Sequence, residues 1–321
     1  MTRTFRTALG VDRPVVSAGM GGVAGPALAA AVARAGGLGL MGLYKATGQA
    51  LDHMLTELVD MTDGQTGVSL VPEAVPPAVL AAQLDRILDG TPRRLAITAL
   101  GTLPSTACTR IRAGGRRLLL QVGSAAQADA AIRLGADAVL VQGAHAGGRL
   151  LGSELTTDLV RAVRRRHPAA VIVAAGGIAT GADAAEALAA GADAVCGGTA
   201  FIATHESDAH DLYKDRVTAA TAEDTVVTDV FTPGRPRRPH RVLRNALTSA
   251  PHHYPKTFIG TTAVAGTRYP VYRFSAAAPT RNTTGRITEM AMYAGRCCSR
   301  VNARTRAADV VDRLAGPLEC T

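Results

Sequence analysis

Eight short apolar runs, separated by segments of helical periodicity, govern what this chain can fold into. They are Pro14 to Ala18, Leu38 to Gly42, Val68 to Val71, Leu95 to Ala99, Leu118 to Val122, Ala138 to Gln142, Val171 to Ala175 and Ala194 to Gly197. Apolar residues fill these runs continuously instead of alternating with polar ones, the pattern of strands covered on both faces. The helical patterns between them make each step a parallel βα unit. Eight such units predict an α/β protein built on a closed (β/α)8 barrel.

An internal echo supports repeated units. AAQADAAIRLGADAV, Ala125 to Val139, resembles GADAAEALAAGADAV, Gly181 to Val195, at an offset of 56 residues that fits two βα steps. Alanine-rich helices ending in a favoured Gly-Ala-Asp turn could converge on the helical half, and less readily on the GADAV pentapeptide.

The segment from Ile172 to Thr204 carries the functional signal. The seventh apolar run leads into Gly176 and Gly177, a helix follows, and the eighth run ends in Gly197, Gly198 and Thr199. A glycine turn feeding a helix N-terminus presents backbone N–H groups and a favourable dipole to a phosphate. Turns after the last strands of a (β/α)8 barrel are where that fold usually binds phosphate. Glycine pairs also serve simple tight corners, so the ordered pair of turns counts for more than either one.

Of 321 residues, 47% are hydrophobic, enough for one barrel and an added subdomain. The N-terminal MTRTFRTALGVDRP is basic but has no apolar core of signal-peptide length, and no run approaches the roughly eighteen apolar residues of a membrane span. Cys108, Cys196, Cys297, Cys298 and Cys320 are odd in number and lack CxxC spacing, which argues against a disulfide framework or a zinc site and for a cytoplasmic location. The net charge of +9 is mostly arginine, clustered at Arg161 to Arg166 and Arg235 to Arg241, while aromatics make up only 3%. Nucleic acid is not expected, because stacking platforms are nearly absent, whereas small anions fit such a field.

After Thr204 the rhythm changes. Glu206 to Ala222 reads as a helix, Thr225 to Phe231 as a short strand, and Thr232 to Tyr272 is rich in Pro, Arg, His and Thr. The expected organisation is a barrel over 1–204, a lid-like subdomain over 205–286 and a C-terminal segment over 287–321. In that last segment Ile287 to Leu314 reads as a helix returning to the barrel.

Several segments, in order, resemble the nitronate monooxygenase family of FMN-dependent (β/α)8, or TIM, barrels. They are RPVVSAGMGGVAGPALAAAVARAGGLGLMG, GADAVLVQGAHAGGR, AAGGI with the following GADAV and GTAF, ESDAHDLYK and MAMYAG, the last two read as helices. The resemblance implies FMN contacts at Gly19, Met20, Gln142, Gly147, Gly148, Gly176, Gly177, Gly198 and Thr199. The residue types suit those roles. Glycines admit phosphate to backbone amides, Gln142 can bond the ring edge, and Met20 offers a polarizable wall.

One departure bears on the chemistry. The family usually has a histidine after AGG as base or proton donor; here the run is His145, Ala146, Gly147, Gly148, Arg149. A guanidinium stays protonated and cannot take a proton from a neutral nitroalkane, but its fork of donors suits an anion such as a nitronate. His145 could replace the base, or serve structure alone. Ser69 stands where relatives often have asparagine. The favoured activity is oxidation of a nitronate or nitroalkane by O2 to a carbonyl compound and nitrite, with a homodimer as the possible oligomer. The alternatives are an NAD(P)H-dependent FMN reductase acting on a quinone or enoyl thioester, and a biosynthetic flavoprotein that has lost the parent reaction.

Overall fold

The computed structural model describes residues 5–232, 238–264 and 267–319. Eight parallel strands close into a barrel: β1 (Val15–Ser17), β2 (Leu38–Gly42), β3 (Thr66–Leu70), β4 (Ala96–Leu100), β5 (Leu118–Val122), β6 (Ala138–Gln142), β7 (Ile172–Ala175) and β8 (Ala194–Gly197). Closure is made by β8 on β1, with Cys196 in register with Val16. The third strand starts before the expected Val68, because Thr66 and Gly67 already pair with Gly39 and Leu40 of β2.

The continuous apolar character of the runs has a direct cause. In β2, Leu38 and Leu40 pack inside the barrel while Met41 packs outward under the helices; in β7, Val173 and Ala175 face in while Ile172 and Ala174 face out. Both faces are therefore dry. The short helix Phe5–Leu9 adds Phe5, Ala8 and Leu9 to the interior cluster and plugs the barrel.

The sequence echo has a mechanical basis. Gly135 and Gly191 follow the helices Ala125–Arg133 and Gly181–Ala189 and adopt φ of +81° and +105°, the left-handed conformation that ends a helix. The aspartate two residues later then grips the preceding strand of the barrel. Asp137 donates its N–H to Leu118 O and accepts from Leu118 N through Oδ2, and Asp193 does the same with Ile172. The pentapeptide repeats because the same clamp starts β6 and β8.

Between the short helix Thr199–Ile202 and the closing helix Ala307–Glu319, the chain builds two additional sheets. One joins Thr225–Thr228, His240–Leu243 and the two-residue strand Gly148–Arg149; the other is the hairpin of Phe258–Val264 and Thr267–Tyr272 with Thr284–Gly285. Phe231, Val242, Leu247, Phe274 and Ala291 form a small core of their own there. Residues 233–237, which include part of the predicted arginine cluster, lie outside the described residues. Among the described residues no helix is long and apolar enough to cross a membrane.

Two expected helices are shorter than the sequence suggests. The one placed at Glu206 spans only Asp211–Ala219. Its intended first turn is pulled away, with Lys214 Nζ donating to Thr204 O and Ser207 O and the Glu206 carboxylate accepting from Ala307 N. Nor is Ile287 to Leu314 one helix: 3-10 turns cover Ile287–Glu289 and Arg296–Arg300, and the α-helix begins at Ala307. MAMYAG is an extended strap. Leu243 N donates to Met292 O, Tyr293 bridges to Val242, and Gly295 N donates to Thr199 Oγ1, so tertiary hydrogen bonds override helical propensity. The final helix does return, burying Ala307, Val310, Val311, Leu314 and Ala315 on one face at helical spacing.

Candidate functional site

The residues singled out for a cofactor occupy a continuous arc of the barrel mouth, since β6, β7, β8 and β1 are successive neighbours. Gly176 and Gly177, at φ +98° and +83°, turn the chain out of β7, and Gly198 and Thr199 do so beyond β8. Among the described residues, the N–H groups of Gly177, Gly198 and Thr199 have no protein acceptor. These donors stand beyond the ends of the neighbouring strands β7 and β8.

The glycines of the arc serve different ends. A Cβ on Gly198 would meet only Ala18 Cβ at 3.6 Å and Met20 Sδ at 3.9 Å, ordinary contacts, so the space above it is kept clear of protein. Gly177 already needs its left-handed φ, and a Cβ there would press on His145 Cβ at 3.1 Å. Gly19 packs directly on Ser69, which is itself buried. Gly147 admits the strap, with Gly295 N 2.5 Å from where its Cβ would stand, and Gly148 supplies a left-handed turn at φ +74° with open space beside it. Their identities follow from the loop they shape.

Gln142, buried at the end of β6, spends its amide on that loop: Nε2 donates to Arg149 O at 2.9 Å, and Oε1 accepts from Leu151 N at 3.0 Å. The loop is held from the other side by pairing of Gly148 and Arg149 with Arg241 and His240. Arg149 is thus fixed at its backbone, and its guanidinium forms an ion pair with Glu73 on the 3-10 turn Pro72–Ala74 beyond β3. Both residues line a cavity of about 170 Å³ over the ends of β4 and β5, with Thr102, Gln121, Gln127 and Arg238. In the closed order of the barrel, β4 and β5 stand across from β8 and β1.

The two candidate catalytic residues are directed to different places. The exposed His145 lies against Gly177 at the β7 turn, and its carbonyl accepts from Arg296 N. Partial burial pulls its pKa below the ordinary histidine value, and the charges of Arg296, Arg241 and Arg300 add to this. The imidazole is therefore neutral near pH 7, in the form of a base. Cys196 and Cys297 are inert by the same logic, burial raising their thiols to about 12 and about 11.

Glu73 was absent from the sequence-based candidates. A carboxylate just past the C-terminal end of a barrel strand is where active-site loops converge, and the prolines at 72 and 76 disguised it as a plain turn. His240, buried in register with Arg149 and packed between Phe231 and Tyr293, was likewise hidden in the arginine-rich run.

Comparison with known proteins accords with this geometry. Residues 3–78 and 70–316 match the nitronate monooxygenase family. The chain is 35% identical over 255 residues to (3aS,4S,5R,7aS)-5-hydroxy-7a-methyl-1-oxo-octahydro-1H-indene-4-carboxyl-CoA dehydrogenase of Rhodococcus jostii, covering 78% of this chain and 69% of that protein. It is 31% identical over 291 residues to nitronate monooxygenase of Pseudomonas aeruginosa, covering 77% and 82%. The structure of FabK from Thermotoga maritima superposes with a TM-score of 0.81 at 27% identity, covering 99% of this chain and 97% of that one. A matched span of this extent, on a closed eight-stranded barrel, shows that the chain belongs to the nitronate monooxygenase family and is a flavin-dependent oxidoreductase.

Proposed function

We propose that the protein binds FMN and oxidises a nitronate with O2 to a carbonyl compound and nitrite. The observation that carries the reading is the cradle of unpartnered N–H groups at Gly177, Gly198 and Thr199, set opposite a pocket with an arginine in it. The residues fit the group: the N–H cradle would hold its phosphate, and Met20 would border it beside Gly198. A bound flavin would supply the acceptor for the substrate's electrons. Arg149 would orient the anionic end of the substrate, and the strap and loop around Gly147 would keep water from it. The segment 205–286 acts in this reading as a lid on the barrel of 1–204, with 287–321 returning to the barrel. The reading also keeps the cytoplasm as the location, where the buried thiols stay reduced, and a homodimer as the oligomer to be tested.

A reductase acting on an enoyl thioester or quinone with NAD(P)H is the second reading. The relative named as a CoA dehydrogenase favours it. Aerobic assays with propionate 3-nitronate separate the two: we expect nitrite to appear with oxygen uptake and no NAD(P)H, whereas NADPH consumption without nitrite would select the reductase.

A further inference from the structure

We propose that Arg300 is a positioning residue for the phosphate end of the flavin: it bridges the Gly177 carbonyl and the Asp183 carboxylate, fixing the glycine turn beyond β7 and offsetting an acid that opposes an anion there. The inference rests on the reading of that turn as part of the FMN site. Arg300 ends the 3-10 turn Arg296–Arg300, far from Asp183 in sequence. Its Nη2 donates to Gly177 O at 2.8 Å and lies 3.0 Å from Asp183 Oδ1, while Nε donates to Asp183 Oδ2 at 3.2 Å. Asp183 in turn caps the helix Gly181–Ala189, its Oδ2 accepting from Ala179 N and Thr180 N, both at 2.9 Å. One guanidinium thus ties the turn and the helix start into a single unit anchored to the C-terminal segment.

The turn needs such a tie. Gly176 and Gly177 carry consecutive positive φ angles, and glycine moves readily between conformations, so the peptide units here would otherwise sample several directions. Donors held in place bind a ligand more tightly than mobile ones. A planar trans peptide points its N–H opposite its C=O. With Gly177 O held by Arg300, Ile178 N is turned away from the guanidinium, and among the described residues it has no protein acceptor although Ile178 is buried. The donors are therefore divided: Asp183 takes those of Ala179 and Thr180, and those of Gly177 and Ile178 are left for a ligand. Successive N–H groups of this kind favour an anion. Charge acts in the same direction. The Asp183 carboxylate at this helix N-terminus competes with a phosphate for the same positive field, and the Arg300 guanidinium offsets it.

Fluorescence titration of the whole chain, freed of bound flavin, with FMN and with riboflavin tests the role. The two ligands differ by the phosphate alone. Arg300→Ala should raise the Kd for FMN about tenfold, the scale of one hydrogen bond to a charged group, and leave that for riboflavin unchanged. Arg300→Lys keeps the charge and loses the fork that spans both partners, and should recover at least part of the loss. A thermal melt of each variant should show the fold kept, since the Arg300 side chain is 43% exposed. Unchanged FMN binding in Arg300→Ala would overturn the role, as would equal weakening of FMN and riboflavin or no recovery with lysine. If the wild type binds neither flavin, the FMN reading falls and this role with it. If the wild type binds FMN and Arg300→Ala binds it equally well, only the role falls.

Discussion

Replacing Gly198 with valine will strip flavin from the protein while leaving the fold intact. A Cβ at this position meets only Ala18 and Met20, both at ordinary contact distance, and φ of −112° is negative and needs no glycine. What the valine does obstruct is the approach of a ligand to the N–H groups of Gly198 and Thr199. The expected loss in FMN affinity is at least about a hundredfold, or about 2.7 kcal/mol. Equilibrium dialysis with FMN, alongside a thermal melt of the flavin-free form, checks both halves. The equivalent change at Gly177 is a poorer probe, because its φ of +83° would strain any side chain and confuse lost binding with lost stability. Full FMN retention in the Gly198 variant would remove the cradle from the site.

Arg149→His should convert a nitronate specialist into an enzyme that also accepts neutral nitroalkanes. The wild-type guanidinium cannot remove an α-proton at neutral pH. An imidazole at that position titrates in the range where it can take up an α-proton near neutral pH. General base catalysis is typically worth 10²–10⁴-fold, so the ratio of kcat/KM for nitroethane to that for ethylnitronate should rise by about a hundredfold or more. Arg149→Ala should instead raise KM for the anion with less change in kcat. His145 supplies the competing explanation. If it is the working base, His145→Ala will abolish nitroalkane turnover selectively. The wild type will then already use both forms, losing the nitroalkane reaction only as pH falls through a pKa depressed below the usual value of about 6.5. The placement of His145 at the β7 turn, away from the Arg149 pocket, favours the first outcome.

The barrel was legible because its physics is local. A strand dry on both faces must be apolar throughout, and all eight runs fall on barrel strands, even where Thr66 and Gly67 extend β3 beyond its apolar stretch. The GADAV echo was legible for a similar reason, since Asp137 and Asp193 repeat one clamp. The glycine turn beyond β7 could be read because a sharp exit from a strand at positive φ needs little more than glycine. What escaped notice depends on partners distant in sequence. MAMYAG has helical composition, yet Thr199 and Leu243 draw it into a strap that crosses the mouth. Glu73 and Arg149 are 76 positions apart, and nothing near either one announces that they meet. The Gln142 amide, read as a flavin contact, is used on the loop backbone at Arg149 and Leu151, a role visible only once that loop is folded back.

A nitronate, and not a pyridine nucleotide, is expected to deliver electrons to this protein. Anaerobic titration of the flavin-loaded enzyme, followed by visible absorbance, tests it in a single cuvette. The oxidised flavin bands should be lost on addition of propionate 3-nitronate and show no comparable change with NADPH. Rapid bleaching by NADPH, with no response to any nitronate, would contradict this expectation.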